Sequence, residues 1–158
     1  MKNLIVRPGK PEDIPAVFEL IKELATYEKA LHEVETSVEK LTEDAFGDKP
    51  LYGLIVAESD KIIIGMSIFY YRYSTWKGKR LYIEDILVTE KQRGQGVGGK
   101  LFEATARHAA KHECSGMNWL VLDWNEPAIN FYIKYNAYFE PEWVNSGITS
   151  IELEKYRS

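Results

Sequence analysis

At 158 residues the chain has the size of one domain and can bury a core without disulfide or metal staples. Hydrophobic residues make up 45% of it, yet no apolar run approaches the roughly 20 residues of a membrane span. A net charge of −4 disfavours nucleic acid and suits a small cationic substrate, while the one cysteine, Cys114, excludes an internal disulfide and fits a reducing cytoplasm.

In chain order, the opening Met1-Lys-Asn-Leu-Ile-Val-Arg-Pro8 is broken too early by Arg7-Pro8 for a secretory leader, and residues 4–7 read as a short strand. Residues 11–25 read as a helix with Ile14, Val17, Phe18, Ile21 and Leu24 on one face. Thr36, with Glu39 three residues on, predicts a capping box that starts a second helix ending near residue 46. Residues 51–58 and 62–73 read as two strands joined by a turn at Ser59-Asp60, and residues 81–88 as the next strand. A glycine-rich loop and a helix over 100–111 follow, then a strand over 117–123. Asn125 reads as an N-cap, with Glu126 and Pro127 in the first turn of a helix to about residue 135, and a final strand is expected near 148–153. The order β-α-α-β-β-β-α-β-α-β is that of a single α+β domain over 1–158, with a mostly antiparallel sheet and helices against its faces.

The loop Gln92-Arg-Gly-Gln-Gly-Val-Gly-Gly-Lys-Leu-Phe102 carries the most chemistry. Gly94, Gly96, Gly98 and Gly99 lack Cβ atoms, so the backbone can turn sharply and approach a ligand closely. The amides that open the following helix have no internal partners and lie at the positive end of its dipole. That arrangement suits a phosphate or pyrophosphate, though several families use it. Gly94, Gly96 and Gly99 satisfy the dinucleotide spacing G-x-G-x-x-G, and Asp123 stands where its acidic residue could fall. Against that, the dinucleotide fingerprint normally opens the first βαβ unit, whereas this loop lies past mid-chain. A Walker loop fails at Leu101, where Ser or Thr should follow Lys100. A glycine-rich helix entry with no ligand is the bland alternative.

Arg93-x-x-Gly96-x-Gly98, after a strand bearing Glu84 and Asp85, resembles the acetyl-CoA loop of the GNAT superfamily of N-acetyltransferases. Glu23-Leu-Ala-x-Tyr-Glu28, Leu81-Tyr-Ile-Glu-Asp85, Arg93-Gly-Gln-Gly-Val-Gly98 and Asp123-Trp-Asn-Glu-Pro-Ala-Ile-Asn-Phe-Tyr132 together resemble the spermidine/spermine (diamine) acetyltransferase family over residues 4 to about 137. Ser74-Thr-Trp-Lys-Gly78 resembles its thialysine-acetylating branch. The resemblance implies a GNAT-like fold, acetyl-CoA as co-substrate, no metal and a homodimer. It implies that Ile86, Leu87 and Val88 hold the pantetheine arm through backbone groups. Arg93, Gly94, Gln95, Gly96, Val97, Gly98 and Gly99 would grip the pyrophosphate, and Asn125, Glu126, Pro127 and Ala128 would line the other side of the co-substrate. Tyr132 would be the general acid, and Tyr27, Glu28, Glu84, Asn118, Trp119 and Leu120 would line the amine site.

The chemistry asks for such groups. A free alkylamine, with a pKa of about 10.4, is protonated at neutral pH and must lose a proton before attacking a thioester. Glu84 and Asp85 are adjacent on a strand, so only one should face a given site, and Glu84 is preferred. The departing thiolate benefits from a donor, which the phenol of Tyr132 can supply. Each residue also has a plain structural reading. Tyr132 is one of 10 tyrosines and could simply pack, Glu84 could pair with Arg80 or Lys77, and Tyr27 and Glu28 could be a solvated pair. His108 and His112 have the i, i+4 spacing of metal ligands but no third ligand, so they read as surface histidines. Cys114 lacks a histidine–acid set and reads as packing. The functional expectation is an amine N-acetyltransferase working by direct attack on a small di- or polyamine or thialysine-like amino acid. The rivals are a catalytically silent acyl-CoA-binding regulatory module and a dinucleotide-binding oxidoreductase.

Overall fold

The structure, a computed structural model, describes residues 3–157; Met1 and Lys2, part of the stretch read against a secretory leader, lie outside it with Ser158. The chain forms two compact units, one ending at Leu120 and the other starting at Val121.

The first unit is built on a five-stranded sheet in the order β1-β2-β3-β4-β5. Its strands are β1 (Leu4–Pro8), β2 (Gly53–Ser59), β3 (Ile62–Ser74), β4 (Gly78–Val88) and β5 (Met117–Asn118). All neighbours are antiparallel except β4 and β5, which the helix α3 (Val97–Lys111) connects in parallel. Asp60 and Lys61, both at positive φ, close the β2–β3 hairpin.

Two helical layers cover the sheet. On one face α1 (Ile14–Tyr27) buries Ile14, Val17 and Leu20 against Leu54, Val56, Met66, Ile68 and Leu87. Those helix positions recur every three or four residues, so one stripe meets the sheet. On the other face Thr105 of α3 donates to Ser67 Oγ at 2.9 Å, and Leu101 and Phe102 are buried. Gly65 lies where β3 passes beneath both β4 and α3: a Cβ there would sit 2.8 Å from the Leu87 carbonyl oxygen and 3.0 Å from the Leu101 side chain.

An ion triad ties the start of the chain to the sheet. Arg7 donates to both oxygens of the buried Asp13, at 2.7 and 2.9 Å, and to Glu58 at 2.6 and 3.0 Å. Asp13 also accepts from the Lys10 amide at 2.8 Å, closing the 3₁₀ turn Pro11–Asp13 that leads into α1.

The expected α+β class and mostly antiparallel sheet are present, and three local expectations are corrected. The helix α2 (Val38–Phe46) is capped by Ser37, not Thr36, because Ser37 holds the extended conformation and its Oγ accepts from the Lys40 amide at 3.2 Å. The strand expected over 117–123 is only two residues long. In place of the strand expected over 148–153 the described residues form a short helix, α5 (Ser150–Glu154), whose cap Thr149 accepts from the Glu152 amide. Thr149 and Glu152 have capping-box spacing, and that local pattern prevails where Ile151 and Leu153 are exposed. The second unit otherwise carries α4 (Glu126–Ile133), capped as expected by Asn125, whose Oδ1 accepts from the Ala128 amide.

Candidate active site

The strand β4 organises the site through one irregularity. Asp85 pairs with Ile68, but Phe69 pairs with Ile83, so Glu84 has no partner across the ladder and forms a bulge. A bulge resets the alternation of faces. Asp85 therefore faces the α1 side with its partner Ile68, while Glu84 acts on Tyr70 and Tyr82, a facing pair with ring centroids 5.2 Å apart. The expectation that the two carboxylates point to opposite faces is thus wrong, because it assumed an unbroken pleat.

The electrostatics follow. Asp85 is partly buried, and desolvation, with Glu84 and Glu28 adding negative charge, pushes its carboxyl up to about 6. Desolvation likewise raises Glu28. The Tyr70 and Tyr82 phenols are also pushed up, first by desolvation and then by Glu84. Glu28, Glu84 and Asp85 thus form one negatively charged cluster, which fits an alkylammonium group. Sequence reasoning named Glu28 and Glu84 and set Asp85 aside; nothing in the sequence marks the bulge that turns Asp85 inward.

Arg80 spans the β4–β5 pair. It is buried and donates to Asn118 Oδ1 at 2.5 Å and to the Met117 carbonyl at 3.0 Å, so the side chain of Asn118 helps to hold β5 against β4. Trp119 packs edge-on to Phe102, with centroids 5.5 Å apart, and Leu120 is exposed. Of the three residues expected from this stretch, two therefore have structural neighbours.

The strand β5 pairs only with Leu81 and Tyr82, so among the described residues no strand flanks 83–88 on that side of β4. Ile86, Leu87 and Val88 thus border an open strand edge that leads into the glycine loop. Gly94 and Gly96 take left-handed φ angles of 75° and 79°, a conformation that glycine adopts without penalty. Gly96 caps α3 with no side-chain bond, leaving the first-turn amides of Val97, Gly98 and Gly99 uncovered by any cap. The chemistry of this cradle fits a pyrophosphate.

The loop is tied to α1 by Glu23, which the sequence reading quoted only as part of a motif. Its carboxylate accepts from Thr89 Oγ1 and from the Glu90 amide, both at 2.8 Å. Arg93 approaches it at 3.7 Å, donates to the Val88 carbonyl at 2.9 Å, and lies over the Tyr27 ring at 5.5 Å. Glu23, Thr26, Tyr27, Glu90 and Arg93 line a hollow of about 300 Å³. A larger hollow of about 520 Å³, walled by Phe46, Leu54 and Phe69 among others, contains none of the expected site residues.

In the second unit, Tyr132 is buried and meets Phe131 edge-on at 5.2 Å. Asp123 lies outside β5, which stops at Asn118, so it does not take the strand-end place that the dinucleotide fingerprint requires. His108 and His112 stack with ring centroids 4.1 Å apart, and His108 Nε2 shares a 2.7 Å hydrogen bond with the Tyr71 hydroxyl. No described helix is long and apolar enough to cross a membrane.

The profile of the acetyltransferase (GNAT) family matches residues 14–137. A thialysine N-epsilon-acetyltransferase of Bos taurus is 39% identical over 140 residues, covering 84% of this chain and 82% of that protein. A spermidine/spermine N(1)-acetyltransferase-like protein 1 of Homo sapiens is 35% identical over 139 residues, covering 84% of this chain and 20% of that protein. Among solved structures, an aminoglycoside acetyltransferase from an uncultured soil metagenomic sample superimposes with a TM-score of 0.76 at 20% identity, covering 92% of this chain and 95% of that one.

Proposed function

Since the chain belongs to the acetyltransferase (GNAT) family, we propose that it acetylates a primary amine of a thialysine-like amino acid or a short diamine. It is an amine N-acetyltransferase that uses acetyl-CoA, and its relatives give no support to a silent regulatory module. The choice of acceptor rests chiefly on one observation: the Glu28, Glu84 and Asp85 carboxylates cluster at the bulge in β4. Such a cluster attracts a cationic amine and offers a base for its proton.

In this reading the open edge at Ile86, Leu87 and Val88 takes the pantetheine arm, and residues 93–99 take the pyrophosphate. Asn125, Glu126, Pro127 and Ala128 line the co-substrate's other side. Tyr27, Glu28, Glu84, Asn118, Trp119 and Leu120 surround the amine, with Asp85 joining Glu84 in receiving its proton. The neutral nitrogen attacks the thioester carbonyl, the carbon–nitrogen bond forms and the carbon–sulfur bond breaks. The ammonium proton passes to the carboxylates before attack, Tyr132 protonates the departing thiolate, and the proton that the attacking nitrogen then loses restores the Tyr132 phenol through solvent. No protein nucleophile takes part, so Cys114 carries no acetyl group. The whole chain, 1–158, acts as one catalytic domain, as a homodimer in the cytoplasm, without metal, nucleic acid or membrane.

The test is CoA release measured across putrescine, spermidine, spermine, lysine and thialysine. Fastest turnover with thialysine or a short diamine is expected; tight acetyl-CoA binding with no turnover on any amine would overturn the proposal.

A further inference from the structure

Residues 93–96 are exposed, and a Cβ placed at Gly94 or Gly96 would meet nothing within 4 Å. Within the 89–93 segment, backbone bonds from Gln92 to Thr89 and from Arg93 to Glu90 form a single 3₁₀ turn, and the Thr89 amide donates to the Ile64 carbonyl at 2.9 Å. The remaining restraint comes from α1, which is anchored in the core by Val17 and Leu20. Glu23 lies on that helix and uses both carboxylate oxygens on the segment that launches the loop, one on Thr89 Oγ1 and one on the Glu90 amide, each at 2.8 Å. The same carboxylate draws Arg93 to 3.7 Å, and Arg93 is further fixed by the Val88 carbonyl and the Tyr27 ring. These bonds join positions 66 and 67 residues apart in the chain, so no local propensity substitutes for them.

We infer that Glu23 is a positioning residue that holds the 89–93 segment in its binding shape, so that acetyl-CoA does not have to order it. The inference rests on the reading of this loop as the acetyl-CoA site. A site that is only part of the time in its competent shape binds with an affinity reduced by that fraction. Glu23 touches none of the reacting groups, so its loss should appear in co-substrate affinity and not in the rate of the bound complex.

The experiment measures acetyl-CoA Kd by calorimetry and kcat at saturating acetyl-CoA for Glu23→Ala and Glu23→Gln. Losing both bonds should weaken Kd about tenfold while kcat stays within about twofold. The Gln side chain can accept from the Glu90 amide and donate to the Thr89 hydroxyl, so its Kd should stay within about threefold of wild type. A folded Ala variant with wild-type Kd, or one that loses kcat at unchanged Kd, overturns the inference. A Gln variant no tighter than the Ala variant overturns it as well. Should the Ala variant fail to fold, Thr89→Val removes one bond alone and is expected to bind about threefold more weakly; an unchanged Kd there overturns the inference. If the wild-type chain does not bind acetyl-CoA, the reading of the loop falls and the inference with it, whereas wild-type binding with an unaffected Glu23 variant sinks the inference alone.

Discussion

Glu84 and Asp85, neighbours in sequence on one strand, present their carboxylates to the same side of the sheet, because the ladder to β3 skips Glu84. Desolvation first, and then the negative charge of Glu84 beside it, pushes the Asp85 carboxyl up to about 6.

A carboxyl poised there accepts a proton well near neutral pH. kcat/KM should therefore show an acid limb with an apparent pKa near 6. Asp85→Asn should remove that limb and lower kcat/KM at neutral pH by roughly 100-fold. The same substitution should stabilise the fold at pH 7.5, by on the order of 2 kcal/mol, since it relieves a carboxylate whose ionisation burial opposes. pH–rate profiles and urea unfolding check both halves; an unchanged acid limb in the variant returns the base to Glu84.

Glu28 tests acceptor choice. With Glu84 it offers negative charge in a partly desolvated place, so acceptors with a second positive charge should have lower KM than monoamines of equal length. Glu28→Gln should raise KM for the dication about five- to tenfold and for the monoamine much less. Equal effects on both acceptors, or spermine as the best substrate, would show that another group holds the distal charge.

Tyr132 is buried in α4, and its hydroxyl is the proposed proton donor. Tyr132→Phe should lower kcat with acetyl-CoA binding nearly intact. General-acid groups contribute roughly 10²–10⁴-fold, and the lower end is expected because a thiolate leaves readily. Wild-type turnover by the Phe variant across pH would make Tyr132 a packing residue.

Two glycines should separate stability from binding. Gly65→Ala drives a Cβ to 2.8 Å from the Leu87 carbonyl oxygen, so it should lower stability by about 1–3 kcal/mol. Gly96→Ala meets no atoms but keeps a φ of 79°, at a cost of about 1–2 kcal/mol in the loop, and should mainly weaken acetyl-CoA binding. Melting curves with and without acetyl-CoA would show the contrast; identical behaviour of the two variants would contradict it.

Much of this was legible in residue order. The apolar stripe of α1, the β2–β3 hairpin, the glycine entry to α3 and the Asn125 cap all rest on local patterns that tertiary contacts reinforce. The misses share a cause. The bulge at Glu84 is a register event between two strands, and one strand's sequence does not encode its partner's spacing. The contacts of Glu23 and Arg80 do not show in the sequence, because their partners lie 66 and 38 residues away. The C-terminal segment reads as a strand, but its Thr149 cap, with Glu152 three residues on, starts a helix instead.

The Arg7 triad adds a last consequence. Arg7 holds the Asp13 carboxyl below the ordinary carboxylate range. A group depressed in this way stabilises the fold above its unfolded pKa of about 3.9 and loses that benefit as pH falls through its folded value. Asp85 works in the reverse sense: between about 3.9 and about 6 its folded form keeps a proton that the unfolded chain has released, so stability falls as pH climbs through that window. The two effects together put the most rugged condition on the mildly acidic side, where the proposed base is already protonated. Shelf life and speed are thus set against each other: an acidic buffer suits storage, and a neutral one suits work.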